Sequence, residues 1–399
     1  MNLPELSPQL LSLDGYATKA MAEKAKSVPG VINMAFGEPA FGPPCSSKQA
    51  IEEMDLNWGA FLDASKRYES NRGMPELRAA IAHYYDRRYG LQVDPDSEIL
   101  ITHGGVEAIS LAALVTTDPG ERVLITDPSY MLYSRALQTL GRQPECVSRQ
   151  ITEHEYENAP DWGVNGKAKA LIVNSPENPS GYVLSDKDFA GLSDFVEKQG
   201  LWLIHDEVYD SMAFARPHKP ARAVSALNDR SILINSFSKK YGVPGLRIGW
   251  MCAPAPVIDL AAKLHDYMYL GVNILSERIA LRLISDESAD KWMDETSDLL
   301  GRRANQLIET LIPEKGFVWR RKPLGSMFAF PDVSDLAARL GQENAEGAGR
   351  AVADWLLETH KVAAIPGFVY GPTSASSLRM ILCSDDETFE RGLAALASL

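Results

Sequence analysis

Two neighbouring lysines, Lys239 and Lys240, follow a Ser-Phe-Ser triplet in the stretch NSFSKKYGVPGLRIGW, residues 235–250. Arg247 comes eight positions after the first lysine, and three glycines lie in the same stretch. A lysine amine can bond covalently to a carbonyl carbon, while serine hydroxyls and an arginine suit a phosphate group. The stretch is therefore either a solvated basic patch or a pocket that holds a phosphate beside a nucleophilic lysine.

The composition restricts the class of partner. The 399 residues include 40 Lys and Arg against 53 Asp and Glu, a formal net charge of -13 that is not gathered in a tail, so we expect no nucleic-acid partner. Four scattered cysteines indicate neither a disulfide framework nor a zinc site. Because the N-terminus lacks a leader pattern and no apolar run could span a bilayer, we expect a cytoplasmic protein with no membrane partner.

Short apolar runs alternate with amphipathic segments through the middle of the chain. Runs that are apolar throughout are typical of buried parallel strands. The candidate strands are ILIT (99–102), VLIT (123–126), ALIV (170–173), LWLI (201–204) and ILIN (232–235). Segments such as SDKDFAGLSDFVEKQG, with an acidic first turn and a final glycine, predict helices between them.

This alternation predicts an α/β fold with a mostly parallel sheet between helices. A long charged helix pattern, SDLLGRRANQLIETLI, is followed by shorter mixed elements, which indicates an additional, smaller α+β domain. We expect residues 45–290 to form the large domain. Residues 1–44 and 291–399 are expected to form the small one.

Polar or glycine-rich residues follow each candidate strand, at the edge where open α/β sheets bind ligands. They lie in the segments HGGVEAI, DPSY, NSPENPSG, HDEVY and SFSKK. Taken singly, each has an ordinary structural explanation: Asp206 as a helix cap, Asn178 as a turn former, and Lys239 with Lys240 as a solvated pair. Their joint position at strand ends favours one binding crevice.

Pyridoxal phosphate is a cofactor that needs this set of groups: a lysine for its aldehyde, a carboxylate for its pyridine nitrogen and an anion site for its phosphate. Lys239 and Asp206 fit the first two needs. Ser236, Arg247 and the amides of residues 105–107, at the start of a predicted helix, fit the third.

The motif SFSKKYGVPGLRIGW resembles the lysine signature of the class I/II aminotransferases, the aspartate aminotransferase-like group of fold type I. The resemblance covers nearly the whole chain. Its other parts are NMAFGEPAFGPP, YESNRGMPELR, DPSY, NSPENPSG, HDEVY and PGFVYGPTSASSLRMIL. The ordered set is far more specific than any one motif.

The resemblance implies a role for each matching residue. Lys239 would form a Schiff base with pyridoxal 5'-phosphate and act in catalysis with Asp206 and Tyr209. The implied cofactor-binding residues are Gly105, Val106, Glu107, Tyr130, Asn178, Asp206, Tyr209, Ser236, Ser238, Lys239, Arg247 and, reaching a neighbouring subunit, Tyr68. The substrate would meet Gly37, Asn178 and Arg379. Lys240 has no implied role and is expected to be solvated.

The implied activity is exchange of an amino group between an amino acid and a 2-oxo acid by a homodimer. A pyridoxal-phosphate-dependent lyase or cyclase on the same fold is the alternative. A ligand-sensing regulator is a weaker one, because the chain reaches GEPAFGPP within about forty residues and leaves little room for a DNA-binding domain. The substrate stays open: ENPSG replaces the usual NNPTG, Tyr130 stands where aspartate aminotransferases often have Trp, and no second arginine is identified for a side-chain carboxylate.

Overall fold

The computed structural model describes most of the chain. The described residues are 6–11, 13, 15, 21, 23–25, 27–45, 47–52, 54, 59, 62, 66, 68–157, 167–341 and 344–399. Part of the expected small domain, residues 1–5 and most of 12–26, therefore lies outside the described residues.

The strands are mostly short. They are β1 (Ile32–Asn33), β2 (Ile99–Thr102), β3 (Arg122–Asp127), β4 (Gln143–Ser148), β5 (Ala168–Asn174), β6 (Trp202–Asp206), β7 (Ser231–Ser236), β8 (Gly249–Cys252), β9 (Phe328–Ala329), β10 (Val362–Ala363), β11 (Ile365–Pro366) and β12 (Leu378–Ile381). Each of the five predicted apolar runs overlaps one of these strands.

The α-helices range from single turns to one of 23 residues. They are α1 (Pro8–Leu11), α2 (Ser47–Glu52), α3 (Pro75–Tyr89), α4 (Gly105–Thr116), α5 (Leu132–Thr139), α6 (Asp186–Gln199), α7 (Phe237–Lys240), α8 (Ala255–Tyr269), α9 (Ile274–Ser285), α10 (Ser288–Thr310), α11 (Ser334–Leu340), α12 (Ala348–Trp355) and α13 (Asp386–Ala397). Helix α6 begins with a capping box at Ser185 and ends at Gly200 in the left-handed conformation, as its sequence predicts.

The main sheet has the strand order β2-β8-β7-β6-β5-β3-β4. Strands β7, β6, β5, β3 and β4 pair in parallel, while β8 pairs antiparallel with both β7 and β2. The predicted mostly parallel α/β fold is confirmed. The expectation that β2 pairs in parallel is wrong, because β8 inserts between it and β7.

Both faces of the main sheet are covered by helices. Alternate strand residues face opposite layers: Leu171 and Val173 pack in one hydrophobic cluster with α3 and α6, and Ala170 and Ile172 in another with α4 and α8. The helices on both sides explain why these strands are apolar throughout and not alternating.

A smaller α+β region follows. Strands β11, β12 and β9 form an antiparallel sheet, and β1 pairs in parallel with β10. Its core contains Met380 of β12, Leu300 and Leu307 of α10, and Met34 from the N-terminal part of the chain. None of the described helices is long and apolar enough to cross a bilayer.

Candidate active site

A cavity of about 1460 Å³ opens beyond the carboxyl ends of the parallel strands. Most of the predicted site residues line it, although they come from segments far apart in the chain. These are Gly37, Gly105, Val106, Tyr130, Asn178, Asp206, Tyr209, Ser236, Ser238, Lys239, Arg247 and Arg379. The expectation of one binding crevice is thereby met, and two predicted residues, Glu107 and Tyr68, do not line it.

Asp206 ends β6 and is buried with its carboxylate at the cavity. Burial raises the pKa of Asp206 to about 6, although hydrogen bonds from the Tyr133 hydroxyl (2.5 Å to Oδ2) and the Val208 amide (3.3 Å to Oδ1) favour the charged form. A buried carboxylate of this kind is stabilised by a cationic partner. The sequence prediction missed Tyr133, which lies three residues after Tyr130 and meets it edge to face at 5.6 Å.

Lys239 lies on α7, the single turn that follows β7. Ser236 caps this turn by accepting a hydrogen bond from the Ser238 amide at 3.1 Å. The Lys239 Nζ donates to the Gly37 carbonyl oxygen at 2.7 Å. Burial lowers the pKa of Lys239, which increases the fraction of neutral, nucleophilic amine.

One wall of the cavity has the donors that an anion requires. Helix α4 begins at Gly105, so the free amides of its first turn face this wall. The Arg247 guanidinium lies so close that a Cβ on Gly104 would be 2.7 Å from its Nη2 atom. Glycine at this position therefore lets the guanidinium approach the helix start. The Ser236 and Ser238 hydroxyls, 2.9 Å apart, complete this group of donors, which we call the anion wall.

Arg379 extends from β12 to the opposite side of the cavity. Its Nη1 donates to Asn178 Oδ1 at 3.2 Å and its Nη2 to the Ala35 carbonyl oxygen at 2.6 Å, while its buried Nε has no hydrogen-bond partner among the described residues. The guanidinium also stacks 4.4 Å from the centre of the Phe328 ring. A buried cation with an unused donor suits a carboxylate ligand.

Asn178 and Tyr209 complete the cavity beside Asp206. The backbone N–H of Asn178 donates to Asn174 Oδ1 at 2.7 Å, and the Asn174 Nδ2 group in turn donates to the backbone carbonyl oxygen of Asp206 at 2.8 Å. Because Asn178 Oδ1 accepts from Arg379, its Nδ2 group is the part left to donate to a ligand. Burial raises the pKa of Tyr209, which keeps its hydroxyl protonated as a donor.

The Glu107 side chain turns away from the cavity. It accepts from His103 Nδ1 at 2.9 Å and from His265 Nδ1 at 2.7 Å. Burial opposes its ionisation, but these hydrogen bonds outweigh burial and hold the pKa of Glu107 at about 2. The three side chains have the spacing of metal ligands, yet the two histidine hydrogen bonds already engage both carboxylate oxygens. Only the backbone amide of Glu107 can serve the anion wall.

Tyr68 lies on the surface with 81% of its area exposed. Within one chain it therefore contributes nothing to the cavity. The role expected for it requires a second chain.

The expectation that Lys240 is solvated is wrong. Its side chain is fully buried, and its Nζ lies 2.9 Å from Asp210 Oδ2. The rings of Tyr84 and Trp250 lie 4.1 and 4.7 Å from the same nitrogen. Lys240 points away from the cavity into the layer between the main sheet and α3, because successive residues of a helical turn face different directions.

The residues present fit pyridoxal phosphate. A buried amine, a buried carboxylate and an anion wall lie around one cavity. Arg247 approaches Gly104 so closely that its guanidinium and the first amides of α4 can contact the same anion. Each of the three needs of the cofactor has a matching group.

We predict that Asp206→Asn stabilises the cofactor-free protein at high pH. The folded-state pKa of about 6 lies above the ordinary value of 3.8, so folded wild type binds more protons than unfolded chain between about pH 4 and pH 6 and loses stability as the pH rises. The advantage of the variant should grow from near zero at about pH 4 to as much as about 3 kcal/mol above pH 7. Denaturant unfolding across this range measures it, and a difference that does not change with pH would contradict the explanation.

Comparison with known proteins agrees with this geometry. The family model "Aminotransferase class I and II" matches residues 29–396. The chain is 27% identical to the putative aminotransferase YugH of Bacillus subtilis over 391 residues (97% of this chain, 96% of that protein) and 29% identical to the aspartate aminotransferase of Pyrococcus abyssi over 392 residues (97% and 96%). It superposes on the N-succinyldiaminopimelate aminotransferase of Mycobacterium tuberculosis with a TM-score of 0.86 at 27% identity, covering 99% of this chain and all of that one.

These matches confirm the predicted enzyme class and its cofactor, pyridoxal 5'-phosphate. The family match extends from before the GEPAFGPP segment to beyond the strand that carries Arg379. The chain belongs to the class I and II aminotransferase family.

Proposed function

We propose that the chain transfers an amino group between an amino acid and a 2-oxo acid, with Lys239 binding the cofactor as a Schiff base. The observation that carries this proposal is the placement of Lys239, Asp206 and Arg379 around one cavity. A lyase or cyclase is not favoured, since the relatives compared above are named aminotransferases.

When bound, pyridoxal phosphate supplies an aldehyde that condenses with amines and a ring that accepts electrons from the substrate α-carbon. The Asp206 carboxylate would pair with the protonated ring nitrogen, which would relieve the cost of its own burial. Tyr209 and the Asn178 Nδ2 group would donate to the phenolic oxygen, and Tyr130 would stack on the ring. The residues that would hold the phosphate are Ser236, Ser238, Arg247 and, through their backbone amides, Gly105, Val106 and Glu107.

Lys239 has a second role as the base. After displacement by the substrate amine, the buried Lys239 Nζ would remain near the substrate α-carbon, and its lowered pKa would help it to take up and return a proton. Arg379 binds the substrate α-carboxylate with its fork of donors. Gly37 lets the main chain come close to this site, because a Cβ there would lie 2.9 Å from the Phe328 ring.

The remaining expectations are proposals with their own support. A homodimer is supported by an exposed apolar surface at the end of α8, where Tyr267 has 81% and Leu270 53% of its area exposed. This surface lies near the anion wall, because the neighbouring Tyr269 ring packs against His103. A cytoplasmic location is supported by the four free cysteines, which a reducing compartment keeps as thiols. We propose that residues 45–290 form the large domain and that residues 1–44 and 291–399 form the small one.

The transamination proposal predicts a two-stage response to substrates. Adding single amino acids to the holoenzyme should abolish the absorbance of the lysine-bound cofactor for productive donors, and a 2-oxo acid should restore it, because the amino group stays with the enzyme until an acceptor takes it. Absorbance that returns without an acceptor, with ammonia released, would indicate a lyase.

Arg379→Ala is the matched variant for this experiment. It should keep the absorbance of the bound cofactor, since a different arginine, Arg247, holds the phosphate, yet require a much higher amino-acid concentration for the response. Arg379→Lys should be intermediate, because an ammonium cannot form the bidentate contact. An unchanged donor response in Arg379→Ala would remove this residue from the substrate site.

The dimer proposal predicts that the active holoenzyme sediments at twice the mass of the 43.8 kDa chain. Tyr68→Ala should weaken cofactor binding while leaving the sedimentation unchanged, because the residue is proposed to act at the neighbouring subunit's phosphate. A fully active species with the mass of one chain would contradict the dimer.

A further inference from the structure

A buried ion pair lies directly behind the proposed catalytic lysine. Lys240 Nζ and Asp210 Oδ2 are 2.9 Å apart, and neither side chain has any exposed area. The carboxylate is fully engaged. Its Oδ2 also accepts from the Tyr84 hydroxyl (2.9 Å) and Asn235 Nδ2 (3.1 Å), and its Oδ1 accepts from the Ser211 amide (2.9 Å).

The pair connects two elements that carry proposed cofactor contacts. Lys240 is the last residue of α7, immediately after Lys239. Asp210 begins the short turn Asp210–Met212, immediately after Tyr209. The two residues of the pair are thus each bonded through one peptide link to a residue that faces the cavity.

Helix α7 depends on contacts with the rest of the protein for its position. It has four residues, and a single helical turn is not stable without tertiary contacts. Lys239 faces the cavity, where its contact with the Gly37 carbonyl must be given up when it reacts. Lys240 faces the other way and is bound by a carboxylate and two aromatic rings. The contacts that Lys240 makes on this side of α7 therefore do not depend on what Lys239 does at the cavity.

We propose that the Lys240–Asp210 ion pair is a positioning device that fixes Lys239 relative to Tyr209. It rests on the proposed roles of those two residues at the cofactor. Neither Lys240 nor Asp210 lines the cavity, so the pair acts through its neighbours in the chain. Even a small displacement of a reacting group can lower the reaction rate greatly, so fixing the position of Lys239 matters for catalysis.

A purely stabilising role explains the pair less well. Replacing a buried ion pair by apolar residues of similar size is often neutral or stabilising, since both charges lose their hydration. Breaking the pair on one side is strongly destabilising, because it leaves an unpaired charge. Unlike an apolar contact, an ion pair of fixed geometry sets a defined distance and direction between α7 and the turn Asp210–Met212.

The experiment compares three variants of the full chain with wild type. Lys240→Met breaks the pair, and Lys240→Met/Asp210→Asn removes both charges while the Asn oxygen can still accept from Tyr84. Arg142→Met is the control: it removes a buried cation that bonds Thr117 and Leu140 at the opposite edge of the sheet. Thermal unfolding of cofactor-free protein, the cofactor dissociation constant, the pH titration of the cofactor absorbance, kcat and KM are measured for each.

The positioning role predicts that the double variant recovers its unfolding temperature without recovering kcat. Lys240→Met should unfold at a lower temperature, shift the pH titration and lose up to about 100-fold in kcat with KM little changed. The double variant should regain most of the unfolding temperature but not kcat or the titration. Recovery of kcat together with stability in the double variant, or equal losses in Arg142→Met, would overturn the inference. If Lys240→Met does not fold, the double variant alone decides.

A Lys239→Ala variant separates this inference from the proposed function. If it still forms the lysine-bound cofactor absorbance, the assignment of Lys239 fails and the positioning role fails with it. If Lys239→Ala loses that absorbance while both Lys240 variants behave as the Arg142→Met control does, only the positioning role is wrong.

Discussion

The parallel register of β5, β6 and β7 is the constraint on which the site depends. Asn174 pairs with Asp206, and Asp206 pairs with Ile234, so β5 and β6 end at one level and β7 continues past them to Ser236. A slip of one residue in any of them would turn its terminal polar side chain to the other face of the sheet. The apolar residues before each end, buried on both faces, hold the register and with it the position of Asp206 relative to the turn that bears Lys239.

Burial sets the chemistry of the groups that this register brings together. It raises the pKa of Asp206 and lowers that of Lys239, because surroundings of low polarity disfavour both charged forms. Pyridoxal phosphate would relieve both costs, since its ring nitrogen can carry a proton and its aldehyde can condense with an amine. The cavity is thus complementary to its cofactor in charge as well as in donors.

Much of this arrangement follows from local sequence, and the rest depends on distant contacts. Strand ends and glycine-rich turns are visible in short segments, which is why the residues around Lys239 and Asp206 could be predicted. The burial of Lys240 could not, since it depends on Tyr84 and Asp210, and adjacent lysines are most often solvated. The antiparallel insertion of β8 likewise depends on the order of strands in space.

The central claim is that Lys239, and not the adjacent Lys240, carries the cofactor. Borohydride reduction of the holoenzyme converts the bond between lysine and cofactor to a stable amine, and peptide mapping by mass spectrometry then locates it. The geometry predicts a single labelled site at Lys239, the lysine whose Nζ faces the cavity. Label on Lys240, whose Nζ is enclosed by Asp210 and two rings, would contradict the account.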